Sequence, residues 1–164
     1  MVSKKYKTFF FLSLFVYILA YSIINSTINR GYILSSINKH LSSGQMIIAI
    51  ITGTAISIFT LFIFLVLARL LLVFLFKIIY KNNVDENFLN EIYFTSAGLK
   101  LLISMITVLT LISGTTLGWI IANAVAILLY FIFVFFNKVN IDVKRSRKKI
   151  IIQSVVGALV ILFI

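Results

Sequence analysis

Two cationic side chains interrupt apolar stretches of the sequence and are the first candidates for chemistry. Arg69 lies within LVLARLLLVFLFK, and Lys100 lies within an apolar stretch that follows a short charged turn. A guanidinium or an ammonium at membrane depth can bind an anion such as a lipid headgroup, and Glu91 could supply a counter-charge at the level of Lys100. The alternative is that both cations reach from helix ends to the membrane interface, which needs no binding site.

A basic cluster, KRSRKK, precedes the last apolar stretch. Its cations could bind anionic lipid, each contributing about 1 kcal/mol near a charged surface. They could also serve only to anchor the last helix in its orientation. The cations of this cluster are Lys144, Arg145, Arg147, Lys148 and Lys149. Together with Arg69 and Lys100 they are the candidates for a lipid or anion site.

Catalytic chemistry is not indicated by the remaining residues. The chain has one histidine, no cysteine and four acidic residues, with no Cys/His pair, no HExxH motif and no Walker A loop. No acid falls within a predicted span, where an aspartyl-type intramembrane protease would need one. The histidine, His40, is expected to be a solvated side chain. We therefore predict no catalytic residue, no metal ligand and no cofactor, and expect that the protein is not an enzyme.

The composition indicates a membrane protein. With 62% hydrophobic residues and a mean hydropathy of +1.15, the chain is too apolar for a soluble domain of its length. The net charge of +11 comes mostly from short segments that flank apolar stretches. This arrangement predicts contact with anionic lipid headgroups on the cytoplasmic side of a membrane, and no contact with nucleic acid.

We predict an all-α fold, a polytopic bundle of five transmembrane helices in a single domain that covers residues 1–164. A span needs about 20 apolar residues to cross about 30 Å of hydrocarbon, and a helix satisfies its own backbone hydrogen bonds in lipid. The predicted spans are 8–24, 46–68, 93–112, 117–136 and 150–164. The last span would be only about 22 Å long, so it would need local thinning of the bilayer or a C-terminus held below the surface.

Lysine and arginine residues in the connections set the expected orientation. Most lie in the N-terminal tail, after the second span and before the fifth, whereas the first outer loop has only Arg30 and Lys39. The N-terminus is therefore predicted to be cytoplasmic and the C-terminus outside. Two alternatives stay open. The first span could be a cleaved signal peptide, and the first outer loop could form either a short helix on the outer leaflet or an irregular loop.

The depth of Arg69 depends on where the second span begins. The apolar stretch 46–76 would be about 46 Å long as a straight helix, which exceeds the thickness of the hydrocarbon. A span that begins at Met46 places Arg69 at the cytoplasmic interface. This placement avoids the roughly 2.5 to 3.5 kcal/mol that insertion scales assign to an arginine at the membrane centre. We therefore expect the guanidinium to contact lipid phosphate.

Small residues at intervals of four mark candidate contact faces between helices. They are Gly118, Ala122 and Ala126 in the fourth span, Ser154 and Ala158 in the fifth, and Gly53 and Ser57 in the second. Asn123, beside the first stripe, is a candidate for a buried hydrogen bond. We expect these faces to pack inside the bundle, and a homodimer interface is the alternative.

The order of these features resembles the bacterial branch of the YIP1 family of membrane proteins. The resemblance rests on five spans, the segment ENFLNEIYFTSAGLKLLISMI after a charged turn, and the basic VKRSRKK before the last span. The chain lacks the proline that is often found in the third span of that family. The resemblance implies a non-enzymatic integral membrane protein.

The sequence thus predicts a scaffold or accessory subunit, with membrane lipids and either another membrane protein or a second copy of the chain as partners. Two alternatives come from other functional classes. The protein could be an immunity protein against a bacteriocin or antimicrobial peptide, or the membrane subunit of an ABC-type export complex. The abundance of Ile, Lys, Asn and Phe indicates the cell membrane of a low-GC Gram-positive bacterium.

Overall fold

The computed structural model of the chain describes residues 2–27, 43–80, 85–109, 116–140 and 147–164. These residues form five α-helices and no strand in the described part of the chain. The helices are α1 (Val2–Thr27), α2 (Ser43–Tyr80), α3 (Glu86–Leu109), α4 (Thr116–Asn140) and α5 (Arg147–Phe163). The all-α fold class is therefore confirmed. The first outer loop and His40 lie outside the described residues.

The start of α3 is set by an aspartate cap. The carboxylate of Asp85 accepts hydrogen bonds from the backbone N–H groups of Asn87, at 3.1 Å, and Phe88, at 3.3 Å. A side-chain oxygen in this position satisfies N–H groups that have no partner within the first helical turn. Glu86 in that turn adds a favourable interaction with the helix dipole. The helix consequently begins seven residues before the predicted span that opens at Tyr93.

α3 is the central helix of the bundle, because it packs against each of the other four helices. It is the least apolar of the four long helices and the one whose side chains are most often buried. The core that surrounds its first half combines buried residues from four helices. They include Phe10 and Leu14 of α1, Leu65, Ala68, Leu72 and Phe76 of α2, Ile92 and Ala97 of α3, and Val156 and Val160 of α5. The spacing of the α2 residues places them on one helical face.

Four of the described helices have a length and an apolar surface that are compatible with a membrane. α1, α2, α3 and α4 are each long and apolar enough to cross a bilayer. α2 has 38 residues and is about 57 Å long, so it extends well beyond the hydrocarbon and beyond the predicted span 46–68. Large apolar side chains such as Phe59 and Phe135 are more than half exposed, as expected for surfaces that face lipid. The apolar part of α5 is shorter than the other four, so the predicted count of five spans is not confirmed.

Two glycines allow close approach between helices. A Cβ atom on Gly157 of α5 would overlap the ring of Tyr130 on α4, and a Cβ atom on Gly98 of α3 would lie 2.6 Å from the ring of Phe9 on α1. Tyr130 is fully buried and its hydroxyl donates a hydrogen bond to the backbone carbonyl of Gln153, so its ring has little freedom to move. Glycine at position 157 is therefore required by packing and not by backbone conformation.

We predict that Gly157→Ala lowers the free energy of unfolding by about 1 to 3 kcal/mol, because overpacking a tight contact displaces its neighbours. The measurement is unfolding with dodecyl sulfate in mixed micelles, followed by helical circular dichroism.

Gly53→Ala on α2 is the matched control, since nothing lies within 4 Å of the Cβ position there. Alanine also favours helix over glycine, so the control variant should be as stable as the original chain or slightly more stable. Equal effects of the two substitutions would contradict the packing of α5 against Tyr130.

Candidate functional site

A groove between α1 and α2, with α3 as its floor, brings two cations together. Its volume is about 420 Å³, and we call it the Arg69 groove. It is lined by Lys7, Phe10, Phe11 and Leu14 of α1, Phe62, Leu65, Val66, Arg69, Leu70 and Val73 of α2, and Tyr93 and Phe94 of α3. Apart from the two cations and the tyrosine hydroxyl, the lining side chains are apolar. The groove therefore combines a positively charged region with apolar walls.

Arg69 is exposed but is held by protein contacts on one side. Its guanidinium donates a hydrogen bond of 3.4 Å to the amide oxygen of Asn90. It also lies 5.9 Å from the centre of the Tyr93 ring and 6.0 Å from that of Phe94, within the range of cation–π attraction. The Tyr93 hydroxyl in turn donates to the backbone carbonyl of Leu65, at 2.8 Å. The guanidinium is thus oriented by α3 and open toward the groove.

Lys7 is the second cation of the Arg69 groove and is absent from the predicted site residues. Its amino group lies 5.8 Å from the centre of the Phe94 ring, so Lys7 and Arg69 both approach the same aromatic side chain. Lys7 belongs to the basic N-terminal tail, which was used only to assign orientation. The contact between α1 and α3 that brings Lys7 to Phe94 is a tertiary feature with no signal in the local sequence.

Lys100 lies in a different environment and does not join this groove. It is only 4% exposed, and its amino group donates a hydrogen bond of 2.5 Å to the side-chain oxygen of Asn123 on α4. The amide nitrogen of Asn123 donates to the backbone carbonyl of Trp119, at 3.0 Å. Lys100 is ten residues beyond Asn90, the partner of Arg69, which is about 15 Å along α3. Its ammonium therefore serves a contact between helices and does not extend to the interface.

Glu91 is buried on another face of α3. Its carboxylate accepts a hydrogen bond of 3.3 Å from the side-chain amide of Gln153 on α5, and both residues are at most 3% exposed. The structure does not pair Glu91 with Lys100, contrary to the expectation from the sequence. Nine residues correspond to two and a half helical turns, which places the two side chains on opposite faces of α3. The expectation that no acid falls within a span also changes, since α3 is a candidate span from Glu86 onward.

The predicted packing residues lie on α4 and α5, and the described part of the basic cluster lies at the start of α5. Gly118, Ala122, Asn123 and Ala126 are buried on α4, whereas Ser154 and Ala158 are half-buried on α5. The buried face of α5 instead passes through Gln153, Val156 and Gly157. In the basic cluster, Lys144 and Arg145 lie outside the described residues, and Arg147 and Lys148 begin α5 with side chains outside the described part. Lys149 is exposed and its amino group lies 5.8 Å from the centre of the Phe88 ring.

The described contacts of these side chains are hydrogen bonds, cation–π contacts and packing between helices. Among the described residues, no group of three or more His, Cys, Asp or Glu side chains could hold a metal ion. The buried hydroxyls of Ser13 and Ser96 donate to backbone carbonyls of their own helices. In the part of the chain that the structure describes, the Arg69 groove brings two cationic side chains to an open cavity.

We predict that Asn123→Leu lowers the free energy of unfolding by about 2 kcal/mol, because it leaves the buried ammonium of Lys100 without its acceptor. The double variant Lys100→Met with Asn123→Leu should lie within about 1 kcal/mol of the original chain, since apolar residues of similar volume replace a buried polar pair at little cost. Unfolding in dodecyl sulfate measures both. A double variant that is less stable than Asn123→Leu alone would contradict a direct Lys100–Asn123 bond.

Comparison of the chain with protein-family models, with curated proteins and with solved structures finds no match. The resemblance to the YIP1 family therefore stays a prediction.

Proposed function

We propose that this chain is a non-enzymatic multi-pass membrane protein that acts as a scaffold or accessory subunit, with a helix of a second membrane protein as its partner. Its place in the cell membrane of a bacterium and its relation to the YIP1 family are part of the same proposal. The observation that carries it is the first half of α2, where none of the described side chains from Gly44 to Thr60 is buried.

Gly53 gives this half of α2 the geometry of a helix contact. Nothing in the described structure lies within 4 Å of its Cβ position, so its backbone is open to a neighbour. Ser57, one turn later, donates its hydroxyl to the carbonyl of Gly53 and presents a small, internally bonded surface. Helices in membranes associate through small residues because their backbones can then approach closely. A partner helix at Gly53 would make the same kind of contact that Gly98 and Gly157 make inside the bundle.

The buried polar groups support a structural role for the rest of the bundle. Lys100 bonds to Asn123 and Glu91 bonds to Gln153, so these ionisable side chains join α3 to α4 and α5. Polar bonds between helices fix their relative positions in lipid. A bundle fixed in this way is suited to present α2 to a partner.

The test uses a benzophenone amino acid placed at Ile56, which lies one turn from Gly53 and is 60% exposed. We expect irradiation of native membranes to give one discrete protein adduct from this position. Gly53→Leu in the same chain should lower the adduct yield at least about fivefold, because the larger side chain blocks close approach of the partner helix.

The matched control places the benzophenone amino acid at Ile120 on α4 instead of Ile56. Ile120 is 55% exposed, and this position should give no discrete protein adduct. Equal adducts from both positions, or adducts with lipid alone at position 56, would contradict the proposal. An adduct with a second copy of the 18.6 kDa chain would assign the face to a homodimer instead.

Two further results would distinguish the alternative functions. An adduct with an ATP-hydrolysing export protein would identify an export subunit. Protection of a sensitive strain against an antimicrobial peptide, gained on expression of the chain, would identify an immunity protein.

A further inference from the structure

The Arg69 groove has the chemistry of a lipid site. Lys7 and Arg69 approach the same Phe94 ring, at 5.8 and 6.0 Å, and none of the described residues that line the groove is acidic. Two cations without an acid between them attract an anion, and low-polarity surroundings strengthen that attraction. The rest of the lining is aliphatic and aromatic, which is unsuited to a free, hydrated ion.

We propose that the Arg69 groove binds one anionic phospholipid. Its phosphate lies between Lys7 and Arg69, and one acyl chain extends along the apolar walls of α1 and α2. This site is separate from the partner face at Gly53, and neither proposal depends on the other.

The contacts of Arg69 orient it for a phosphate. Asn90 accepts a hydrogen bond from one terminal nitrogen of the guanidinium, and the rings of Tyr93 and Phe94 flank it. A guanidinium carries five N–H donors, so the bond to Asn90 leaves donors for a ligand. Arginine commonly binds phosphate through two parallel hydrogen bonds, and prior orientation of the side chain lowers the entropy lost on binding.

The walls of the groove fit an acyl chain. Phe10, Leu14 and Leu65 are less than a tenth exposed and line its buried part. Phe11 and Val66, on α1 and α2, are 59% and 58% exposed and stand at its sides. An acyl chain between these side chains would cover apolar surface that the described protein leaves open.

The depth of the groove matches the headgroup region of the cytoplasmic leaflet. Arg69 reaches Asn90, in the second turn of α3, and Lys7 reaches Phe94, one turn further. The expected orientation places the start of α3 at the cytoplasmic surface, where bacterial and eukaryotic membranes carry anionic lipid. Long cationic side chains at this depth extend toward headgroups while their stems stay in apolar surroundings.

The experiment measures lipid binding by native mass spectrometry of the full chain in non-ionic detergent. The probes are dioleoyl phosphatidylglycerol and dioleoyl phosphatidylcholine, which share their acyl chains and differ in net headgroup charge. We expect phosphatidylglycerol to bind more tightly than phosphatidylcholine. Arg69→Gln and Lys7→Gln should each weaken phosphatidylglycerol binding about fivefold, and together about 25-fold. Glutamine at position 69 can still donate a hydrogen bond to Asn90.

The matched control is Lys77→Gln, which removes an exposed cation of α2 that does not line the groove and should leave binding within about twofold. Unfolding in dodecyl sulfate shows that each variant keeps the fold of the original chain. Equal binding of the two lipids, or unchanged phosphatidylglycerol binding in the double variant, would overturn the proposal. Displacement of phosphatidylglycerol by glycerol 3-phosphate at similar concentrations would also overturn it, because the groove would then bind a phosphate without an acyl chain.

Discussion

The arrangement of the bundle depends on the burial of the polar side chains of α3. Glu91, Thr95, Ser96 and Lys100 are each at most 4% exposed, and α3 contacts all four other helices. In lipid, a polar group that faces hydrocarbon without a partner costs several kcal/mol, so a helix with this composition must be surrounded by protein. The other helices can tolerate a lipid-facing side because their exposed residues are mainly large and apolar. The least hydrophobic helix therefore becomes the centre, and the more hydrophobic helices form the periphery.

The polar groups of α3 and the close helix contacts act together. Gln153 of α5 reaches Glu91, and the hydroxyl of Tyr130 on α4 reaches the backbone carbonyl of Gln153. The second of these bonds needs α4 and α5 to approach closely, and Gly157 permits this because a side chain there would overlap the Tyr130 ring. In a medium of low dielectric, a hydrogen bond is strong and a buried polar group without a partner is costly. Packing and polarity therefore constrain the same helices. α2 contributes little to these bonds, which leaves its first half as the least buried part of the described chain.

The sequence alone predicted the helices well and their contacts poorly, for physical reasons. Continuous apolar stretches identify helices in lipid, so α1 and α4 were found near their observed positions. The start of α3 was missed because Glu86, Asn87 and Glu91 lower the local hydropathy, although the Asp85 cap was present as a sequence signal. Small residues on α4 indicated a packing face, yet the partners of Asn123 and Glu91 depend on how helices distant in sequence come together. The proximity of Lys7 and Arg69 is of the same kind, since sixty-one residues separate them and only α3 brings them to one ring.

Lys100 and Arg69 show why two cations in similar sequence surroundings differ in what they can do. Lys100 has an acceptor inside the bundle and almost no exposed surface, so it has no room for a ligand. Arg69 bonds to Asn90 on one side and faces an open groove on the other. Lys100 is a residue of α3, the helix on which the bundle depends, and Arg69 of α2 contacts α3 through Asn90, where α3 forms the floor of the groove. A ligand that binds the folded groove and not the unfolded chain stabilises the fold by mass action. An anionic lipid at Arg69 would therefore stabilise the same helix contacts that bury Glu91 and Lys100, although it touches neither of them.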